Sequence, residues 1–449
     1  MTKTHELCRF LAGLNEDSLS SQTWDDMPYK LLDWAGCAVG ALDRANSRTA
    51  LGLLLEEGGN PQCSAIGLPN KTSMSGAAFT NGVLGHVLEY DDVNKIAITH
   101  PGAPVIPAVL AAAEAHCRTY RDFAVGVVAG YEAMIRIGAA LNPSHYEHWH
   151  TTGTCGAFAA AAAASVVKGY SADQIEQAMG IAATTAAGLT CVFGTDAKLV
   201  TVGNAARNGL LATELAGRGM TGPVGILDGA RSYPAATCRE EDFSTLVPQP
   251  GDPLCIEDSY YKMHASCGHT HSALDALQEL LAQHCFIDSD VKQITIHVYR
   301  KALDLTGVFQ VENESKAKFS MPFCAAAMII CGQVTLREFE EDVLHSPQVE
   351  ALAAKIRVIE DPAYTSNYPT LRTERVEVTL NDRTLIKELD LPNGKPSKQF
   401  LENKFNSLAA PIIGVDRADS LRCAILSASR DMHMPLLGDA LRRYSCYGK

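Results

Sequence analysis

The chain has 449 residues, of which 47% are hydrophobic and 20% are charged, and its formal net charge is −13. This composition is typical of a globular protein and excludes an intrinsically disordered one. The acidic balance argues against nucleic acid and against an anionic membrane surface as partners, because both require a basic face.

Cysteine usage and the N-terminal sequence indicate the compartment. The 14 cysteines include no CxxC pair, and the first residues, MTKTHELCRFLAGL, lack the features of a secretory signal. The alanine-rich apolar run 157–167 is too short to span a bilayer. We therefore expect a cytoplasmic protein with free thiols and no membrane span.

Helical spacing of apolar residues dominates the chain through about residue 235. It is seen in the segments 5–14, 29–43, 171–189 and 203–219. Many of these positions hold Ala or Gly where a core usually has Leu, and small residues let helix axes approach closely. The pattern predicts a large all-helical bundle in which several helices are buried on all sides.

The pattern changes after about residue 285, where apolar and polar residues alternate as in strands. Strands are predicted within 291–303, 356–362 and 372–390, the last as a hairpin that turns at Asn381–Arg383. Two helices are predicted between them, over 318–332 and 335–356.

The tail from Lys398 is again helical, and we expect it to fold back on the first bundle. The predicted fold class is therefore mainly α with a second, smaller α+β domain. Residues 1–265 together with 398–449 are predicted to form the helical domain, and residues 266–397 the α+β domain.

The common nucleotide and hydrolase motifs are absent. The sequence has no GxGxxG after a strand, no GxxxxGK[ST] and no GxSxG, so we expect neither a dinucleotide cofactor nor a nucleophile-elbow serine hydrolase. Two histidine-rich segments, 144–150 and 264–271, contain possible zinc ligands such as Cys267. Their spacing matches no common zinc pattern, so no metal is expected. The simpler interpretation of His145, His148 and His264 is that they are surface or hydrogen-bonded core residues.

Four segments each place an ionisable residue beside a turn next to a helix of small residues; these residues are His100, His150, Lys198 and His271. Helix N-termini offer unpaired N–H groups that suit a carboxylate ligand, and histidines nearby could transfer protons. Any one segment alone is explained by a helix cap with an incidental histidine. The four together favour a site for a small polyanion.

The segments NGVLGHVLEYDD, HPGAPVIPAVLAAAE, HWHTTGTCGAFAAAAAA, DAKLVTVGNAARNGLLA and THSALDAL resemble the MmgE/PrpD family. That family includes 2-methylcitrate dehydratases, cis-aconitate decarboxylases and an iminodisuccinate epimerase. The resemblance implies a homodimer in which a large helical domain carries a smaller α+β lid domain, with the active site between them. It also implies a small carboxylate substrate and no dinucleotide or iron–sulphur cluster.

The resemblance also implies roles for individual residues. The catalytic set is His100, His150, Lys198, His271 and Asp92; the substrate-binding set is Glu89, Asp91, Thr152, Thr201 and His269. His150 or His100 would remove the proton α to a substrate carboxylate, Lys198 would pair with a carboxylate, and Asp92 would orient a histidine. The sequence departs from the family pattern at Glu89, Val93, Thr201 and Phe323.

These departures argue against the hypothesis of a cis-aconitate decarboxylase. They argue less strongly against the hypothesis of a 2-methylcitrate dehydratase. The first hypothesis is a hydro-lyase acting on a hydroxylated di- or tricarboxylate such as 2-methylcitrate. The second is an epimerase of a similar dicarboxylate, the third a cis-aconitate-type decarboxylase, and the last a non-catalytic or zinc-binding protein.

Overall fold

The computed structural model describes residues 1–249, 251–391 and 395–445. The chain folds into two compact units. The first comprises Met1–Tyr260 and the segment from Ser397 onward, and the second comprises Tyr261–Pro396. The first is helical and the second mixes helices with a sheet, so the predicted fold class is confirmed.

The described residues of the N-terminal part of the helical unit form ten α-helices. They are α1 Lys3–Gly13, α2 Ser21–Gly40, α3 Ala45–Glu57, α4 Met74–His86, α5 Gly102–Ala115, α6 Tyr120–Leu141, α7 Thr151–Lys168, α8 Ala172–Ala183, α9 Ala197–Gly217 and α10 Tyr233–Thr237. In α7 every residue from Thr151 to Ser165 is buried, which confirms the expected helices that are buried on all sides.

Small residues determine how closely these helices pack. A Cβ atom on Gly209 of α9 would lie 2.5 Å from Ala160 Cβ and 2.6 Å from Ala157 O of α7. A Cβ on Gly126 of α6 would lie 2.4 Å from Val167 of α7. Because real Cβ atoms do not approach this closely, the α6–α7–α9 packing requires glycine at both positions.

The second unit contains a four-stranded sheet surrounded by helices. Its elements are α11 His271–His284, β1 Val291–Val298, α12 Arg300–Thr306, α13 Glu314–Ala317, α14 Met321–Cys331, α15 Glu341–Leu344, α16 Pro347–Ala353, β2 Ile356–Glu360, α17 Pro362–Asn367, β3 Glu374–Leu380 and β4 Thr384–Leu389. The strand order is β2-β1-β3-β4, with β1 and β2 parallel and the other pairs antiparallel. The predicted β3–β4 hairpin is confirmed.

The prediction of one helix over 335–356 is wrong. That segment forms a short 3₁₀ turn at Leu336–Phe339 followed by α15 and α16. Pro347 begins α16, where its missing N–H and fixed φ are tolerated, but within a longer helix it would remove a hydrogen bond.

Three helices complete the helical unit, namely α18 Lys398–Ile413, α19 Val415–Leu426 and α20 Met434–Ser445. Phe405 and Leu408 of α18 pack on Gly36 and Gly40 of α2. Lys404 Nζ lies 2.7 Å from Asp33 Oδ1 of α2 and donates to Tyr90 O, also at 2.7 Å. The C-terminal segment therefore returns to the first bundle, as expected.

One helix of the described residues, α6, is long and apolar enough to cross a membrane by length and composition. Its most apolar window has a mean hydropathy of 1.4, and 94% of that window is buried inside the fold. Since core helices meet the same criteria, the helix gives only weak support for a membrane span.

Candidate active site

The loop after α4 brings three ionisable residues together within one turn. His86 is the last residue of α4, and Glu89 and Asp91 follow it. Glu89 has a φ of +55°, a left-handed conformation that residues other than glycine rarely adopt. Such strained residues cluster at functional sites. All three side chains are buried.

Asp91 lies between two imidazoles. Its Oδ2 atom is 2.8 Å from His86 Nδ1 and 3.1 Å from His100 Nδ1, and the two rings meet edge to face with centroids 4.7 Å apart. Burial alone would raise the pKa of Asp91, but His86 and His100 together lower that pKa well below its usual value. Asp91 is therefore a carboxylate anion that orients both rings.

His150 stands immediately before α7, and its hydrogen bonds define its tautomer. Its backbone N–H donates to Gly188 O at 3.0 Å. Its Nδ1 atom is 2.8 Å from Thr201 Oγ1, and that hydroxyl donates to Lys198 O at 2.7 Å. Because the Thr201 proton is already donated, the hydroxyl oxygen accepts from Nδ1–H. The lone pair of a neutral His150 then lies on Nε2.

The surroundings of His150 keep it neutral. Burial, then the positive charge of Lys198 and the nearby rings of His86 and His100, lower the pKa of His150 well below its usual value. The His86 and His150 ring centroids are 6.1 Å apart. A neutral imidazole with an available Nε2 is suited to act as a general base at neutral pH.

Lys198, in the first turn of α9, provides the cation of the site. Its ammonium group forms a buried ion pair with Glu89. The Phe193 ring lies beside both Lys198 and His150, 5.4 Å from Lys198 Nζ and with its centroid 5.1 Å from that of the His150 ring. Glu89, Asp91, His100, His150 and Lys198 therefore converge within the helical unit, together with His86. We refer to these six residues as the imidazole cluster.

Asp92 does not belong to this cluster, and its hydrogen-bond partners among the described residues include no histidine. Its carboxylate accepts hydrogen bonds from Tyr131 Oη at 2.7 Å and Gly102 N at 3.0 Å, and it lies 3.4 Å from Lys30 Nζ. Lys30 also donates to Ser259 Oγ at 2.7 Å. Asp91, and not Asp92, is the carboxylate of this loop that lies beside histidines. We refer to Lys30, Asp92, Gly102, Tyr131 and Ser259 as the Asp92 network.

The two threonines expected to bind substrate have structural partners. Thr152 Oγ1 accepts from the backbone N–H of His100 at 3.2 Å, and Thr201 holds His150. Both hydroxyls therefore position histidines of the imidazole cluster. Direct contact of either threonine with substrate stays a prediction.

His269 and His271 belong to the α+β unit, and their roles stay predictions. His269 Nδ1 lies 2.5 Å from Tyr299 Oη, and His271 Nε2 lies 3.3 Å from Ser266 O. Within the part of this unit that the structure describes, no three His, Cys, Asp or Glu side chains converge as metal ligands. The possible zinc site around Cys267 is therefore unsupported there.

Three other histidines follow the simpler interpretation. His145 is fully buried, with Nδ1 3.2 Å from Thr237 O and Nε2 2.8 Å from Thr154 Oγ1, and burial lowers its pKa to about 4. His148 is exposed. His264 lies 2.9 Å from Asp275 Oδ1. Each has a structural explanation.

His86 belongs to the imidazole cluster but was not predicted from the sequence. The residue is fully buried and lies three positions before Glu89, which follows the end of α4. That spacing, in the segment that carries the family resemblance, was the available signal.

Comparisons with known proteins identify the family of this chain. Residues 5–246 match the family model for the MmgE/PrpD N-terminal domain, and residues 264–428 match the model for the MmgE/PrpD C-terminal domain. The chain belongs to the MmgE/PrpD family. Every member of the imidazole cluster lies within the N-terminal family domain.

Curated relatives in this family carry the names of lyases. A cis-aconitate decarboxylase from Aspergillus terreus is 27% identical, covering 95% of this chain and 93% of its own. A human cis-aconitate decarboxylase is 28% identical, covering 77% and 74%. A 2-methylcitrate dehydratase from Salmonella typhimurium is 22% identical, covering 79% and 77%. Membership of the MmgE/PrpD family thus supports an enzyme of the lyase type.

Proposed function

We propose that the protein is a lyase of small di- or tricarboxylates that creates a carbanion next to a substrate carboxylate. The observation that carries this proposal is the pairing of two kinds of imidazole. His150 is neutral, with its lone pair on Nε2, whereas His86 and His100 are held by the Asp91 anion. One side of the cluster is suited to accept a proton and the other to donate one.

In the proposed reaction His150 Nε2 takes the proton from the carbon α to a carboxylate. The electron pair of that C–H bond becomes the carbanion, which a nearby cation stabilises. Lys198 supplies that charge, and on binding it exchanges the Glu89 carboxylate for a carboxylate of the substrate. A proton from His100 then allows the β-hydroxyl to leave as water, and the carbon–carbon double bond forms. Asp91 stabilises the protonated form of His100 before the transfer.

Dehydration of a substrate such as 2-methylcitrate is the first candidate, because it uses both a base and an acid. General acid–base catalysis of this kind typically contributes ~10²–10⁴-fold to the rate. The second candidate is decarboxylation of a substrate such as cis-aconitate. It is favoured by the relatives, since the decarboxylase from Aspergillus terreus matches over 95% of the chain. There the carbon–carbon bond supplies the electron pair, carbon dioxide leaves, and only the acid is needed.

The test is proton NMR of the purified protein in D₂O with 2-methylcitrate, cis-aconitate and a panel of dicarboxylates. Loss of water to an alkene supports the first candidate. Release of carbon dioxide with one deuterium incorporated on carbon supports the second. Deuterium exchange or inversion without either would move the protein to the epimerase alternative. His150→Gln is the control, and a product formed at the same rate by that variant would contradict the proposed role of His150.

A further inference from the structure

His86, Glu89 and His100 have the composition and the spacing of a metal-ligand set. A ring nitrogen of each histidine and a carboxylate oxygen of Glu89 all lie within 4.8 Å of one another, and His86 Nε2 is 3.8 Å from Glu89 Oε1. In a tetrahedral zinc site with bonds of about 2.0–2.1 Å, ligand atoms are about 3.3 Å apart. Small side-chain movements would therefore close the site. We infer that these three residues bind a divalent transition-metal ion.

Asp91 prepares both imidazoles for this role. Its Oδ2 atom faces Nδ1 of His86 at 2.8 Å and Nδ1 of His100 at 3.1 Å, an arrangement that favours the tautomer with the proton on Nδ1 in both rings. In that tautomer the lone pair of each ring lies on Nε2, the nitrogen that can bind a metal ion. Metal-binding histidines usually have a carboxylate on their other nitrogen, which fixes the tautomer and strengthens the ligand. Here a single carboxylate serves two rings.

His86 supplies an independent observation. The residue is fully buried, and no hydrogen-bond partner for its Nε2 atom is found among the described residues. A buried polar atom without a partner costs free energy, so native structures rarely keep one without a reason. A metal ion bound at Nε2 would satisfy this atom. The acid–base mechanism proposed above gives His86 Nε2 no task.

The ligand set also indicates which ions would bind. Two imidazoles and one carboxylate suit zinc, cobalt, nickel or copper, whereas magnesium and calcium prefer oxygen ligands alone. Three protein ligands leave a coordination position open for water or for a carboxylate.

The ammonium group of Lys198 competes with a metal ion for the Glu89 carboxylate. This group pairs with Glu89, so it already neutralises the anionic ligand. A divalent ion must displace this ammonium group from Glu89, and the two cations repel each other. Metal affinity should therefore be moderate in the wild type and higher when Lys198 is replaced by a neutral side chain.

A second group of possible ligands provides a matched control. His5, Asp173 and Glu176 also lie close together, but the Asp173 side chain is 85% exposed. Glu176 already pairs with His5 and accepts from Gly225 N at 2.9 Å. The buried carboxylate that faces His5 Nδ1 at 2.8 Å, Glu176, is itself one of the three possible ligands, whereas Asp91 is additional to the set of His86, Glu89 and His100. We expect little metal binding there.

The experiment is titration of the chelator-treated, full-length protein with Co²⁺, followed by its visible d–d absorption, with Zn²⁺ affinity measured by competition. Wild type should develop d–d bands that saturate, and Zn²⁺ should abolish them. His86→Gln should weaken the affinity by about 10–100-fold, and Asp91→Asn should act in the same direction. Lys198→Met should tighten the affinity about tenfold. His5→Gln should leave the titration unchanged.

The proposal fails if no saturable bands appear, or if His5→Gln removes them while His86→Gln does not. It also fails if the Lys198→Met variant binds the metal ion more weakly than the wild type does. This comparison still decides the question if the His86→Gln variant does not fold. Because absorption reports binding directly, the result is independent of whether the proposed lyase reaction is correct. If it is, bound Zn²⁺ should inhibit turnover reversibly, since His100 and Glu89 are then occupied.

Discussion

The imidazole cluster and the Asp92 network are built around neighbouring carboxylates with opposite properties. The pKa of Asp91 is lowered well below its usual value by two histidines, whereas burial raises the pKa of Asp92 despite the opposing effect of Lys30. Asp91 contacts groups that can exchange protons. Asp92 joins α2, α5 and α6 through Lys30, Gly102 and Tyr131. Two adjacent acidic residues can therefore have different surroundings, one beside ionisable histidines and the other between three packed helices.

The largest effect is expected when His150 of the imidazole cluster is replaced. His150→Gln should lower kcat/KM by about 10³-fold, because the amide has no basic nitrogen to take the substrate proton. The thermal midpoint should change little, since glutamine can still donate to Thr201. Thr201→Val should produce a smaller loss of about tenfold, because it removes only the acceptor at Nδ1. Equal losses in the two variants would mean that His150 acts by position and not as a base.

The second prediction compares the effects of replacing Asp91 and Asp92 on stability and on activity. Asp92→Asn should lower the free energy of unfolding by about 3 kcal/mol, because the buried Lys30 loses its anionic partner. Its kcat per folded molecule should stay within about threefold of wild type. Asp91→Asn should instead lower kcat/KM about 10²-fold with a smaller loss of stability. Urea unfolding and steady-state kinetics on both variants measure this, and the reverse pattern would restore Asp92 as a catalytic residue.

A smaller effect is expected at Tyr131. Tyr131→Phe removes the hydroxyl that donates to Asp92 and should cost about 1 kcal/mol of unfolding free energy. Turnover should be unaffected, since among the described residues the Tyr131 hydroxyl bonds to Asp92 and to no member of the imidazole cluster. A loss of activity larger than the loss of folded protein would show that the two regions are coupled.

The smallest effect concerns pH. Because burial and then Lys198 lower the pKa of His150 from its ordinary value of 6.5, its neutral form persists below that pH, and kcat/KM should decline only at more acidic pH. Lys198→Met removes one of the charges that lower this pKa, so the acidic limb should move to higher pH by about 0.5–1 unit. The pH profile of the residual activity measures the shift. Movement to lower pH would contradict the electrostatic account.

Much of this arrangement could be predicted from the sequence. Apolar periodicity predicted the helical bundle, the β3–β4 hairpin and the returning C-terminal segment, and the family resemblance pointed to His100, His150 and Lys198. All three lie where a turn meets the N-terminus of a helix, and local sequence patterns report such turns well.

The contacts of Asp91 with two histidines and of Asp92 with Lys30 and Tyr131 could not be predicted. Which side each carboxylate faces depends on the left-handed conformation of Glu89, and no spacing rule gives that direction. His86 was missed for a related reason, because a lone histidine within an apolar helix usually indicates a hydrogen-bonded core residue. Its function depends on a partner from the following loop.

The return of α18 to the first bundle has a consequence for synthesis of the chain. Lys404 contacts Asp33 and the carbonyl of Tyr90, which lies between Glu89 and Asp91. On the ribosome, the loop that carries these acids leaves the exit tunnel long before Lys404 is made. The whole α+β unit is translated in between. Until Lys404 is made, the nascent helical unit lacks this contact, and a chain that ended before Lys404 would leave the loop of Glu89 and Asp91 without it.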